Sequence, residues 1–303
     1  MVFVPGISRK KRALERRKGG GGGGRGGGGG IGGGRGSSGG KGASGGGRAG
    51  SVTSGGAPRS TSSKSAGGGP VSTIPQGVLF AGRQQGGGTR ANVYGTSTYG
   101  SGYPGSSSIG VASQGFPYYY WPVIWAPPVV VGTGYWIHSN GEYGDSHNTS
   151  RPGGALATAA FPSSTNGNTT FRLMADGDTV TSLITDISSS CGSSISSASS
   201  ISSQPYNDSG PPLPAQAVQY YRASSVVLSL DSYNNTAVYS NDTNTPPSPL
   251  PDNIDTTLLS CLNTTIGNNV PLVDAANGLR WSSPSSLGLV ALVWAISKLI
   301  SQV

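Results

Sequence analysis

The chain contains 303 residues, among them 52 Gly and 21 Pro, and only 34% of its residues are hydrophobic. This composition excludes a chain that packs into a globular core from end to end, and it predicts a folded part smaller than the whole. Residues 1–141 carry fifteen Lys or Arg and one acidic residue, a net charge of +14, whereas residues 142–303 carry five basic and eleven acidic residues, a net charge of −6. Together they give the net charge of +8. This asymmetry predicts a basic tail joined to an acidic domain.

The first segment, residues 1–18, is a basic N-terminus with two clusters of Lys and Arg. The spacing is typical of a nuclear localisation signal, and residues 16–18 also fit a dibasic processing site at the end of a leader. The opening "MVFVPGIS" is too short and too broken by proline and glycine to be a secretory hydrophobic region, so that no signal peptide is visible. We expect residues 1 to about 15 to reflect an alternative start, with a signal peptide encoded upstream.

Residues 19–74 are dominated by Gly and Ser, with scattered Arg and Lys. Glycine loses the most backbone entropy on ordering, and almost no apolar side chain is present to offset that cost. We therefore predict a disordered cationic arm, whose charge suits nucleic acid, anionic lipid or an acidic polymer. The alternative is an Arg/Gly-rich RNA-binding segment, although only Arg25 lies in a true Arg-Gly-Gly.

The next element is the uncharged stretch "FPYYYWPVIWAPPVVVGTGYWI" at residues 116–137. Its four prolines argue against a membrane-spanning helix, because each interior proline removes a backbone donor. No basic residue accompanies the rings, which argues against a base-stacking surface. We predict an extended segment whose Trp121, Trp125, Trp136 and Val129 to Val131 pack into a core.

N-glycosylation sequons occur only in the acidic half. The six acceptors are Asn148, Asn168, Asn207, Asn234, Asn241 and Asn263. Since this half is rich in Asn, Ser and Thr, a single sequon is weak evidence, but the number exceeds what composition explains. We predict a glycosylated domain in the secretory pathway.

Hydrophobic periodicity predicts a strand at "TTFRLM", a turn at "ADGD" and a first helix. Its inward positions are Val180, Leu183, Ile184, Ile187 and Cys191. The Ser-rich run that follows predicts a linker. "QAVQYYRASS" fits strand or helix, and "VVLSLDSYNNTAVYS" predicts a hairpin that turns at Asn234-Asn235.

A second helix is predicted to begin at a cap on Asp252 or Asn253. Its inward positions are Ile254, Leu258, Cys261, Leu262 and Ile266. Because both cysteines fall on inward faces, we predict a Cys191–Cys261 disulfide that staples a small α+β domain; two buried free thiols are the alternative.

Segments such as "GFPYYYWPVIWAPP", "EYGDSHNTSRPGG" and "VQYYRASSVVLSLDSYNNTA" resemble a family of fungal, mainly basidiomycete, secreted proteins. The resemblance covers about residues 75–275. It implies a Gly-rich, cell-surface protein with a two-cysteine domain and a hydrophobic tail that fits a GPI anchor, and it implies no activity. This chain departs from the family pattern in the missing leader.

The tail, residues 276–303, contains a polar spacer and the apolar run "LGLVALVWAI". Small residues, a spacer and a short apolar run follow the order of a lipid-anchor signal, with Asn277 or Ala276 as the attachment residue. A buried or surface amphipathic helix is the alternative.

Catalytic and metal-binding signatures are not found in the sequence. Only two histidines, His138 and His147, are present, too few for most zinc sites. Asp176 and Asp178 flank a glycine and fit a turn better than a calcium-binding loop. Glu142 and Asp145 could form a carboxylate pair, but glycoside hydrolysis needs a cleft built from strands that this chain hardly has. We therefore expect no enzyme, no cofactor, no metal and no small-molecule substrate. The expected function is a structural or interaction protein of the fungal cell wall or surface; a nuclear or cytosolic Arg/Gly-rich RNA-binding protein is the alternative.

Overall fold

A computed structural model of the chain describes residues 49–106, 110–125, 140–240, 242 and 245–274. The strands are β1 (Ala49–Ser54), β2 (Ala57–Ser62), β3 (Ser72–Thr73), β4 (Gln84–Gln85), β5 (Leu156–Pro162), β6 (Thr170–Asp176), β7 (Gln204–Pro205), β8 (Ala217–Tyr221), β9 (Val226–Leu230) and β10 (Leu272–Val273). The α-helices are α1 (Asn140–Tyr143), α2 (Gly177–Cys191) and α3 (Thr256–Asn269). These residues form the predicted α+β domain.

The domain is built on a five-stranded antiparallel sheet in the order β7-β5-β6-β9-β8. β5 and β6 pair along their whole lengths, from Leu156 opposite Asp176 to Pro162 opposite Thr170. Every residue of β9 is buried. Because side chains alternate between the two faces of a strand, both faces of the sheet are covered at its centre.

Two neighbouring tyrosines show what covers each face. The hydroxyl of Tyr221 donates to Asn263 Oδ1 of α3 at 2.7 Å, so one face carries the helices. Tyr220 points the opposite way, and its hydroxyl accepts a hydrogen bond from Trp125 Nε1 at 3.2 Å. The other face is therefore covered by the aromatic segment that precedes the sheet in sequence.

Helix α2 begins where β6 ends, with Asp176 as its N-cap. Of the positions predicted to face inward, Val180, Leu183, Ile187 and Cys191 are buried and Ile184 is half-buried. Helix α3 packs beside it and buries Leu258, Leu262 and Ile266. The two helices are joined by the predicted disulfide between Cys191 and Cys261, whose Cα atoms are 5.8 Å apart.

The start of α3 differs from the prediction. Its cap is Asp255, not Asp252 or Asn253, and Ile254 precedes the helix. One oxygen of Asp255 accepts from the Leu258 amide at 2.9 Å, and the other accepts from the Ser163 hydroxyl at 2.6 Å. This second bond, to the β5–β6 loop, fixes the cap at this residue.

The aromatic segment is core within its described part. Trp125 is fully buried, and Trp121 is 9% exposed. The segment tolerates its prolines because it has no regular secondary structure that needs every backbone N–H. Its backbone is held by individual hydrogen bonds, such as that from the Val123 amide to the Ser224 carbonyl at 2.9 Å. Among the described residues, no helix has the length and apolarity needed to cross a membrane.

The predicted arm of residues 19–74 is too long, because ordered structure begins by residue 49. β1 and β2 form a hairpin, and β10 extends it to a three-stranded sheet in the order β1-β2-β10. Val52 is buried, and Arg90 ties the following loop to the end of α3 through the carbonyls of Ser65 and Val270. Non-local contacts therefore order a stretch whose composition predicts disorder.

Two local predictions in the acidic half are wrong. The hairpin turns between β8 and β9, at residues 222–225, while Asn235 instead caps a short 3₁₀ helix, Thr236–Tyr239. The Ser-rich run is not a free linker: it contains two 3₁₀ turns and the β7 edge strand, and its Ile195 is buried.

Several predictions concern residues outside the described part. These are residues 1–18, the arm from 19 to 48, His138, Trp136, Val129 to Val131, the sequon at Asn241, the anchor candidates Asn277 and Ala276, and the rest of the tail to residue 303.

Candidate functional site

Among the ion pairs of the described residues, the most buried joins Asp176 and Arg222. Arg222 is 0% exposed and Asp176 is 4% exposed, and Nη2 of Arg222 lies 2.6 Å from Oδ2 of Asp176. Further hydrogen bonds lead from the guanidinium to the Thr179 hydroxyl at 3.0 Å and to the Pro271 carbonyl at 2.9 Å. The other oxygen of Asp176 accepts from the Thr179 amide at 3.0 Å. Asp176 therefore caps α2 and neutralises a buried cation, and it is not part of a calcium loop.

A left-handed turn positions Arg222. The φ angles of Arg222, Ala223 and Ser224 are +51°, +50° and +58°. This conformation costs a non-glycine residue roughly 1–2 kcal/mol. Hydrogen bonds hold the turn: the Arg222 amide donates to Val93, and Ser224 Oγ accepts from the Gly100 amide at 2.9 Å. The loops that precede the sheet in sequence therefore fix the backbone of this turn, and the turn positions the guanidinium.

Tyr120 lies over this guanidinium, with the Arg222 Cζ atom 3.4 Å from the ring centroid. The ring is 5% exposed, and burial is the largest cause that raises the pKa of its hydroxyl. Thr61 of β2 lies close to this hydroxyl, and both residues line the same groove. Ion pair, ring and strand thus form one connected layer.

A groove of about 460 Å³ lies above this layer, between the β1–β2 hairpin and α2. Its strand wall contains Gly50, Ser51, Val52 and Thr61. Its helix wall contains Asp178, Thr179, Thr181, Ser182 and Thr185, and Tyr120 and Pro271 complete the lining. Thr and Ser hydroxyls and one carboxyl group dominate the groove.

Asp178 is the charged group of the groove. Burial is the largest cause that raises its pKa, and the nearby Asp176 carboxylate raises it further. None of the ion pairs among the described residues involves Asp178. The carboxylate of Asp178 is therefore disfavoured by its surroundings and has no cation beside it.

A second polar cluster joins Asp145, His147 and Asp208 at the surface. One potential ligand atom from each lies within 4.8 Å of the others, and all three residues are exposed. The Ser146 hydroxyl donates to Asp208 at 2.8 Å, and His147 Nε2 lies 3.6 Å from Asp208. These contacts explain the arrangement without a metal. The sequence gives no hint of this cluster, because Asp208 is 61 positions from His147.

The two carboxylates considered as a catalytic pair are held separately. Glu142 accepts from Arg83 and from the Ser113 amide. Asp145 accepts from the His147 amide at 2.7 Å, which is the largest cause that lowers its pKa. Neither lies in the groove.

The five described sequons differ in exposure. Asn168, Asn207 and Asn234 are exposed, and Asn148 is half-buried. Asn263 lies within α3, is half-buried, and its side-chain oxygen accepts from the Tyr221 hydroxyl. Asn263 is therefore the acceptor least accessible to a glycan.

The chain was compared with family models, with curated proteins and with solved structures, and none of the three comparisons gives a match.

Proposed function

We propose that this chain is a non-enzymatic, secreted or surface-displayed structural or interaction protein. The observation that carries the proposal is the disulfide between Cys191 and Cys261, which joins two helices across a sequence separation of 70 residues. Structural disulfides persist in oxidising compartments and are rare in the cytosol. A small domain that is stapled in this way suits a protein exposed to the exterior.

The exposed sequons support the same location. Asn168, Asn207 and Asn234 offer accessible side chains in the loops that follow β5, β7 and β9. A glycan on a loop adds bulk without displacing packed residues. We propose that these three positions carry glycans and that Asn263 does not.

We further propose that the cationic segment before β1 binds acidic wall polymers or anionic surfaces. Residues 1–48 carry eleven Lys or Arg and one Glu, whereas residues 49–274 carry seven basic and eleven acidic residues. Attraction between this segment and a polyanion should weaken steeply with added salt. An anchor at Asn277 or Ala276 would hold the protein at a membrane, and phosphatidylinositol-specific phospholipase would release it.

The resemblance to fungal surface proteins is part of this proposal. It agrees with the two-cysteine α+β domain and with the buried aromatic segment. The resemblance suggests the cell wall as the location and suggests no catalytic activity.

Intact mass spectrometry of natively isolated protein tests the proposal. We expect a mass that falls on endoglycosidase treatment and no alkylation of either cysteine without reductant. Asn168→Gln should remove one glycan, and Asn263→Gln, the matched control, should remove none. An unshifted mass near the 30.4 kDa of the chain, with both thiols alkylated and RNA crosslinked to the protein, would instead support the RNA-binding alternative.

A further inference from the structure

The outer edge of β1 is open among the described residues, since the sheet order is β1-β2-β10. The Ser60 carbonyl accepts from the Asp274 amide, so Ser60 faces β10 and its neighbour Thr61 faces β1. Thr61 pairs with Gly50. Along an antiparallel strand, the backbone N–H and C=O groups of successive residues point alternately to the two neighbouring strands. The N–H and C=O groups of Ser51 and Thr53 therefore point away from β2, toward the open edge.

One face of α2 forms the second wall of the groove that Gly50, Ser51 and Val52 of β1 line. Asp178, Thr181, Ser182 and Thr185 are spaced three or four positions apart, which places them on one side of the helix. At 1.5 Å per residue this face extends for about 10 Å, the length of three residues of β1. All its side chains are short, and the facing Gly50 has none, so a backbone can approach closely.

The charge of the groove selects its occupant. Asp178 has no cation beside it, and its charged form is disfavoured by burial and by Asp176. The arginines of the described residues are engaged elsewhere: Arg59 over Tyr119, Arg83 with Glu142, Arg172 with Asp231, Arg222 with Asp176, and Arg90 and Arg151 with backbone carbonyls. A ligand that brings its own cation gains a charged hydrogen bond at Asp178.

We propose that this groove binds an extended polypeptide that pairs with β1 as an added strand and directs a Lys or Arg side chain to Asp178. Strand addition to an open edge draws affinity from main-chain hydrogen bonds and selectivity from side-chain contacts. The buried layer of Asp176, Arg222 and Tyr120 fixes the floor of the groove. This inference goes beyond the proposed function and does not depend on where the protein resides.

A glycan fits the groove less well. An aromatic ring offers a sugar a large apolar surface only where a face of the ring is exposed. Tyr120, the aromatic residue of the lining, is 5% exposed and has one ring face against Arg222.

Fluorescence anisotropy with the full chain tests the proposal. The probe is a fluorescein-labelled hexapeptide, Thr-Val-Lys-Val-Ser-Thr, compared with the same peptide carrying Glu for Lys and with one whose central amides are N-methylated. We expect saturable binding of the Lys probe, binding of the Glu probe weaker by about tenfold or more, and no binding of the N-methylated probe.

Variants of the chain separate the two contacts. Asp178→Asn should weaken binding of the Lys probe about tenfold, and Asp252→Asn, an exposed site outside the groove with the same charge change, should leave it unaltered. Ser51→Pro removes an outward N–H from an edge strand, where proline is tolerated, and should abolish binding. Binding that survives both changes, or equal binding of the three probes, would overturn the proposal. So would a groove occupied by a soluble β-glucan oligosaccharide and not by the peptide.

Discussion

Replacing Asp176 by Asn tests the buried ion pair most directly. Asn is as good an N-cap as Asp, so the substitution keeps the hydrogen bond to the Thr179 amide. It removes the charge opposite Arg222 and replaces the oxygen that accepts from the guanidinium by an amide donor. Arg222 is 0% exposed, so the substitution would leave its guanidinium buried without a counterion. Leaving one charge of a buried pair uncompensated costs about 3–5 kcal/mol. We expect Asp176→Asn to lower the free energy of unfolding by that amount, out of a total of roughly 5–15 kcal/mol for a domain.

The chain contains a matched control in Arg172 and Asp231. Their atoms lie 2.7 Å apart, nearly as close as the buried pair, but their side chains are 27% and 30% exposed. A solvated pair of this kind contributes about 0–1 kcal/mol. Guanidinium denaturation followed by Trp fluorescence should therefore separate Asp231→Asn from Asp176→Asn by at least 2 kcal/mol. Equal losses would refute the claim that burial, and not the ion-pair distance, determines the contribution.

Three further outcomes are expected. Replacing Cys191 and Cys261 together by Ser should lower the free energy of unfolding by about 4 kcal/mol, because the disulfide closes a loop of about seventy residues; a denaturation midpoint equal to that of the parent chain would contradict this. Gly153→Ala should cost clearly more than Gly154→Ala in the same assay, since both have φ near +85° but only at Gly153 would a Cβ atom collide with the buried carboxylate; equal costs would rule out the collision. Because the pKa of Asp178 is raised, the folded state binds the proton of this carboxyl more tightly than the unfolded state does. The contribution of Asp178 to stability therefore falls as the pH rises from the unfolded-state pKa through the folded-state pKa. Asp178→Asn should be more stable than the parent chain at pH 7 and equally stable below the usual pKa of Asp.

Helix α2 and the disulfide could be predicted because their signals are local. Val180, Leu183 and Ile187 recur at helical spacing, and Cys191 continues the same face. Cys261 follows Leu258 at helical spacing in α3, and it is half-buried against the core. Because the chain contains no other cysteine, Cys191 and Cys261 can form an intrachain disulfide only with each other.

The sheet of β1, β2 and β10 could not be predicted, because its stability comes from contacts between distant parts of the chain. Leu272 pairs with Ser62 across about 210 positions, and the Arg90 guanidinium bridges the same regions. In β1 only Val52 supplies a large buried apolar side chain. Composition therefore predicts disorder where distant pairing gives strands.

The turn at residues 222–225 is unpredictable for a different reason. Turns with positive φ are normally signalled by Gly, Asn or Asp, and none of these occurs in "YRASSV". The sequence nevertheless contains a usable signal, because Arg222 lies between the apolar pairs Tyr220-Tyr221 and Val226-Val227. A charged side chain in such surroundings requires a buried partner, and Asp176 at a helix cap was available.

The engagement of the arginines gives the two parts of the chain opposite binding preferences. Residues 49–274 have eleven acids and seven basic residues, and the six arginines among the seven are held by carboxylates, carbonyls or rings. A ligand of this part should therefore be cationic, whereas a ligand of residues 1–48 should be anionic. Both interactions weaken with salt, so salt cannot distinguish them. Polyglutamate should displace an acidic polysaccharide from the chain and leave β1 unaffected, and free oligolysine should displace the Lys hexapeptide from Asp178. Displacement of both ligands by polyglutamate would show that the hexapeptide does not bind in the groove.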